Sequence, residues 1–272
     1  MKKSENILDK RREISQIILL LICLFLPCLI NLSEKIKFLF GAKDPNFDTA
    51  IYYYLMKAGN PIIGIVLMFF ILFKLVRSSN KNNILNKGNR YHDHSYIWYW
   101  FCSNILGYES CNLVLVPIHM QIKLVVRDTF KNFPLNDDMF SECNNEVFKR
   151  ITNVEYKTDN INLILEDTYI IRDAQINEVD LNKFTIRISR KIEDEGTRSY
   201  SSAFVDEVVT SLRDLPEDTN VNIFATINPK HCYEISKKGI ALANRGNLKQ
   251  VFVYQQEDYS GKRKFEKRYK IY

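Results

Sequence analysis

Asn228, Pro229, Lys230 and His231 form the run of residues in this chain best suited to act on a common ligand. An asparagine followed by proline starts a helix, and the free backbone donors of a helix start, its dipole and a lysine together favour an anion such as phosphate. Thr226 just before the run and Arg245 beyond the following helix complete a candidate ligand mouth. An ordinary capped helix explains the same residues without a ligand. His92 and His94 flank Asp93, the spacing that places two imidazoles on one face of a strand, but a third ligand is missing nearby. No metal or other cofactor is therefore expected. Asp167, Glu193, Asp194 and Glu195 offer carboxylates, which at this density read as solvated loops.

The six cysteines, at 23, 28, 102, 111, 143 and 232, show neither metal nor redox spacing and read as free thiols. GxGxxG, GxxxxGK[ST], GxSxG and HExxH patterns are all missing. The expectation is a protein that is not an enzyme.

The elements that must position these residues follow from periodicity. Asn220–Ile227 reads as a strand, Pro229–Asn244 as a helix closed near Gly246, and Leu248–Tyr254 as the next strand, a parallel βαβ unit. Ligands in such sheets gather beyond the carboxyl ends of the strands, which brings Asn228, Lys230, His231 and Arg245 to that edge. Upstream, strands are expected at Cys111–Pro117, Ile151–Tyr156, Ile161–Leu165 and Phe184–Ser189. Helices are expected over Asp137–Arg150 and Ser199–Leu215, and Ile118–Phe130 suits either a short helix or a strand. Tyr96, Trp98, Tyr99, Trp100 and Phe101 form an aromatic helix capped by Asp93 or Ser95. Phe265, Tyr269 and Ile271 alternate among the basic residues of the C-terminal tail, as in a terminal edge strand; nucleic-acid binding is the weaker reading of that tail.

The first third of the chain is different. Ile14–Ser33 has 20 residues without a charge, and Ala58–Phe73 has 16 flanked by Lys57 and Lys74. About 20 apolar residues cross a ~30 Å hydrocarbon core, and only a helix satisfies its backbone there. Lysine stems extend the shorter run toward the interfaces, and Tyr52, Tyr53 and Tyr54 suit the headgroup layer. Asn31 and Asn60 fall at similar depth, where an interhelical polar contact is expected. The flanks outside the pair carry ten cations and the connecting loop four, so both termini are expected in the cytoplasm. Bulky residues follow the first run where a signal peptidase needs small ones, so it reads as an anchor.

Charge divides in the same way. Residues 1–90 hold 14 basic and 6 acidic residues, leaving 24 and 26 for the remainder. The basic excess hugs the membrane, which argues against a nucleic-acid-binding domain. The expected organisation is a cytoplasmic N-terminus 1–13, transmembrane helix 14–33, periplasmic loop 34–57, transmembrane helix 58–76, linker 77–91 and cytosolic domain 92–272. Its fold class is a two-helix transmembrane hairpin followed by a mixed α/β domain with a C-terminal βαβ unit.

The layout, with RYHDHSYIWYW (90–100) and NIFATINPKH (222–231), resembles the two-transmembrane effectors that accompany retron reverse transcriptases in bacterial anti-phage defence. The resemblance covers the whole chain and brings no catalytic positions. It implies an inner-membrane protein held inactive by a reverse transcriptase with its RNA–DNA hybrid, disrupting the bilayer in abortive infection once released. Two spans cannot enclose a pore, so a homo-oligomer is expected. A second reading, supported by the candidate anion site, is a membrane-anchored sensor of a nucleotide messenger.

Overall fold

The computed structural model describes residues 10–40, 50–135, 140–143, 145–154, 159–191, 199–241, 247–259 and 262–272. The chain forms two compact units, residues 1–87 with 100–110, and residues 88–99 with 111–272.

In the first unit, α1 spans Arg11–Leu29, with Pro27 in its last turn. Nineteen residues at ~1.5 Å each give a helix of about 28 Å, close to the hydrocarbon thickness. Asn31, at a φ of 50°, turns the chain into α2, Leu32–Phe40, so part of the expected loop is helical. The third helix, α3, runs over Ala50–Ile71 and breaks at Gly59, whose φ of 80° only glycine adopts without strain. The apolar helix that starts there continues through a π-helical segment, Leu72–Arg77, and on to Lys81, 23 residues in all. The first five residues of the expected linker are therefore helical. Both helices are long and apolar enough to cross a membrane. Ile18, Leu21, Ile22, Phe25, Ile65, Val66, Phe69 and Phe70 stand exposed along them, the arrangement of a lipid-facing surface.

The second unit is a six-stranded sheet. Its strands are β1 (Val147–Thr152), β2 (Asn160–Glu166), β3 (Thr185–Arg190), β4 (Thr219–Thr226), β5 (Leu248–Tyr259) and β6 (Lys262–Lys270). Their order is β1-β3-β2-β4-β5-β6. The four inner strands are parallel, and an antiparallel strand closes each edge. Leu163, Leu165, Ile186, Ile188, Val221, Ile223, Val251 and Val253 line one face. Against it pack α5 (Ile118–Val126), α6 (Ser202–Arg213) and α7 (Pro229–Ile235), whose apolar stripe includes Ile122, Phe204, Val208, Leu212 and Ile235. On the other face, Ile164, Phe224, Tyr254 and Phe265 pack with Ile171 and Ile176 of the β2–β3 crossover. The fold is thus an apolar helix pair followed by a mixed α/β domain, and the β4–α7–β5 unit is parallel as expected.

Three expectations fail in the second unit. Of the strand expected at Ile151–Tyr156, only Ile151 and Thr152 are extended, because Asn153 turns the chain at a φ of 57°; residues 155 and 156 lie outside the described residues. Cys111–Pro117 is a compact turn with Leu115 at a φ of 60°, and only Cys111 belongs to a strand. Its residues are apolar because Leu113 and Val116 are buried, not because the chain is extended. The helix expected over Asp137–Arg150 is absent where the chain is described, since Val147–Arg150 begins the edge strand β1. Residues 118–126 take the helical alternative. The aromatic helix, α4, spans Tyr96–Asn104 and receives its cap from Ser95, whose hydroxyl accepts from the Trp98 backbone.

Candidate functional site

Three parallel strands end together at one edge of the sheet and set the chemistry there. Asp167 follows β2, Arg190 ends β3, and Asn228 lies two residues beyond β4. The Asp167 carboxylate is fully buried. Its Oδ1 accepts from Arg190 Nε at 2.7 Å. Its Oδ2 accepts from the Asn228 backbone N–H at 2.9 Å and lies 2.7 Å from His231 Nδ1. His231 Nε2 accepts from the Ser201 backbone N–H at 2.8 Å, so the ring proton sits on Nδ1 and is donated to Asp167. The Asn228 amide donates to Ser199 O, and its Oδ1 caps α7 by accepting from the His231 N–H. Arg190 Nη1 completes the set on Ser199 Oγ at 2.6 Å, with Cys143 Sγ 3.1 Å away.

This arrangement holds an ion pair in the core by giving each charged atom a partner, the condition under which a buried charge is tolerated. Nε2 of His231, the atom a general base would use, is committed to a backbone donor. Asn228 and His231 thus point inward. Lys230 lies apart, with its ammonium 4.4 Å from the centre of the Tyr200 ring. Thr226 directs its hydroxyl to Tyr169 O and Leu165 O. Arg245 lies outside the described residues, as do Glu193, Asp194 and Glu195. Asp167, expected in a solvated loop, is instead the centre of the network. Sequence reasoning gave Asp167 no role in a site and missed Arg190, Ser199 and Ser201; a carboxylate directly after a buried parallel strand was the available signal.

His92 and His94 are buried, and the Tyr99 hydroxyl donates to the His92 carbonyl. Among the described residues, no group of three or more His, Cys, Asp or Glu side chains is placed to hold a metal. The six cysteines are free. Burial pushes the Cys232 thiol up to about 12 and raises that of Cys102 as well, which leaves both inert at neutral pH.

The helix pair carries its own polar sites at the two ends. At one end Asn60 Oδ1 accepts from the Ser33 N–H at 2.8 Å, and Asn60 Nδ2 lies 3.5 Å from Asn31 Oδ1. At the other, Asn80 is fully buried and exchanges two hydrogen bonds with Gln16, at 2.8 and 2.9 Å, while donating to Leu106 O. Arg77 donates to Asn104 O and Ile105 O, and Gly107, at a φ of 80°, lets that chain segment pass against the Arg77 side chain. The Tyr108 hydroxyl donates to the buried Glu13 carboxylate at 2.6 Å. Burial and this bond raise the Tyr108 phenol well above its usual range. Residues 104–108 thus clasp the bases of both helices. Midway, a Cβ on Gly64 would lie 2.1 Å from Leu24 O, so the two backbones touch there.

Among curated proteins, none matches the chain. Over all of residues 1–272, the profile that matches is a SMODS- and Ubiquitin system-associated 2TM effector domain, SUa-2TM. A hairpin of two membrane-length helices carried by a mixed α/β domain is what such a description requires, and the chain belongs to the SUa-2TM effector family.

Proposed function

We propose that this 2TM effector acts in anti-phage defence by disrupting the inner membrane when activated, with both termini in the cytoplasm and without enzymatic chemistry. The observation that carries the reading is the hairpin. Its helices meet backbone to backbone at Gly64 and Leu24 and turn Phe25, Ile65, Val66 and Phe69 outward. Such a surface meets lipid while the protein rests and a second hairpin when copies assemble around an opening. The α/β domain supplies the regulated part. In this reading a partner holds it inactive, and the retron resemblance supplies a reverse transcriptase with its RNA–DNA hybrid for that role.

The test is uptake of a potential-sensitive dye by cells expressing the activated chain, wild type against Ile65→Lys. A lysine within a span costs about 2.5–3.5 kcal/mol on insertion scales. Wild type depolarises the cells and Ile65→Lys does not. Equal depolarisation by both would sink the reading, and so would unchanged potential when the complete system is triggered.

A further inference from the structure

The two edges of the sheet are built in opposite ways. β6, with sequence KRKFEKRYK, carries the dense charge that keeps an edge from pairing with another strand. On β1, Phe148 is 54% exposed and Ile151 47%, and among the described residues nothing pairs with its outer edge. The direction of its free backbone groups follows from one hydrogen bond. Lys191 N donates to Glu146 O, so antiparallel alternation turns residues 146, 148, 150 and 152 toward β3. The N–H and C=O groups of Val147, Lys149 and Ile151 then face outward.

We infer that β1 is a docking edge for a second copy of this chain, pairing antiparallel about a two-fold axis through Phe148. A two-fold axis normal to the sheet keeps each face on its own side, so it must pass through a residue rather than between two. Centring on Arg150 sets two guanidiniums against each other, and centring on Lys149 does the same with ammoniums. Like charges directly opposite destabilise a strand pair. Centring on Phe148 brings the two phenyl rings together and places Glu146 opposite the other copy's Arg150, twice by symmetry. Glu146 and Arg150 are both exposed and lie on the same face as Phe148. Val147 and Lys149 then exchange main-chain hydrogen bonds with their counterparts, four in all by this geometry. Lys149 stays on the opposite face, where Glu207 holds it at 2.9 Å. The contact is small for a soluble dimer, but two chains anchored in one bilayer meet at raised effective concentration.

The inference deepens the proposed function by naming a surface through which copies meet. It is tested by oxidative cross-linking of the full chain in membranes, in a Cys28→Ser, Cys143→Ser background. Single cysteines are placed at 148, 149 and 150. The Phe148 pair is non-hydrogen-bonded across the new interface, with Cα atoms about 4.5 Å apart, within the ~4.4–6.8 Å span of a disulfide. Phe148→Cys gives a covalent dimer, and Lys149→Cys and Arg150→Cys give about tenfold less. Adding Arg150→Glu to Phe148→Cys suppresses the dimer by about tenfold, and Glu146→Arg beside it restores the yield. Absence of any dimer, strongest cross-linking at 149 or 150, or failure of the charge swap to restore would overturn the inference. Such a result with wild-type depolarisation intact would remove this surface and leave the membrane reading standing.

Discussion

Asp167 ties three elements of the α/β domain together. It is fully buried and satisfies Arg190, His231 and the Asn228 N–H together. Asp167→Ala leaves the Arg190 guanidinium, itself 4% exposed, without its counter-ion. Breaking a buried pair from one side costs about 3–5 kcal/mol, a large share of a domain's total stability of about 5–15 kcal/mol. The expected outcome is a thermal midpoint lower by roughly 10 °C. A midpoint within a degree of wild type would show that the network stabilises nothing. His119 gives a second, pH-dependent prediction. Burial holds its imidazole below the ordinary value near 6.5, against the opposing effects of its 3.1 Å bond to Gln255 and of Asp93; Lys123 and Lys267 push the same way as burial. Its ring also stacks on Tyr269 at 3.7 Å. As pH falls through 6.5 the unfolded chain takes up a proton that the folded one resists, so stability falls and then levels off once the folded imidazole titrates. Unfolding midpoints between pH 7.5 and 5 should drop in wild type and drop less in His119→Gln; parallel curves would refute this. At this scale, legibility tracked sequence distance. The Asn228 cap and Pro229 at the first helical turn are local and were readable. The pairing of Asp167 with Arg190 and His231 joins residues on three elements, which no local pattern encodes.

At the scale of elements, glycine sets how the helix pair packs. Packed helix axes ordinarily stand 8–10 Å apart, and a small residue at the crossing lets them approach more closely. A side chain on Gly64 would collide with the backbone oxygen of Leu24, which no rotamer relieves. Gly64→Leu should widen the separation of spin labels at Leu29 and Ile62, both exposed, by roughly 2–3 Å. An unchanged separation would mean that the pair is held by its polar ends alone. The βαβ unit was legible because each piece buries an apolar face with its own period, two for the strands and 3.6 for the helix. The edge strand β1 was not. Met139, Phe140, Cys143, Val147 and Phe148 recur at helical spacing, and a strand exposed on both faces shows no alternation to compete with that. The π-helical segment Leu72–Arg77 and the clasp of residues 104–108 were likewise hidden, since both depend on which side chains meet at the base of the helix pair.

For the whole molecule, the division of charge that set 1–90 apart from the rest coincides with the boundary between a lipid-facing hairpin and an α/β domain. A single hairpin has two spans, too few to surround a water-filled path, so the bilayer disruption we propose calls for several copies. That requirement makes the activity vulnerable to poisoning. Co-expressing Ile65→Lys and wild type at equal levels, with the total held at that of wild type alone, puts a charged span into most assemblies. If one defective subunit disables an assembly, depolarisation falls to about one quarter for dimers and about one sixteenth for tetramers, against one half if each copy acts alone. Dye uptake measured across a series of mutant-to-wild-type ratios therefore yields the number of subunits from the steepness of the decline. A linear decline would mean that hairpins act singly, and the outward apolar surface would then be explained by lipid contact alone.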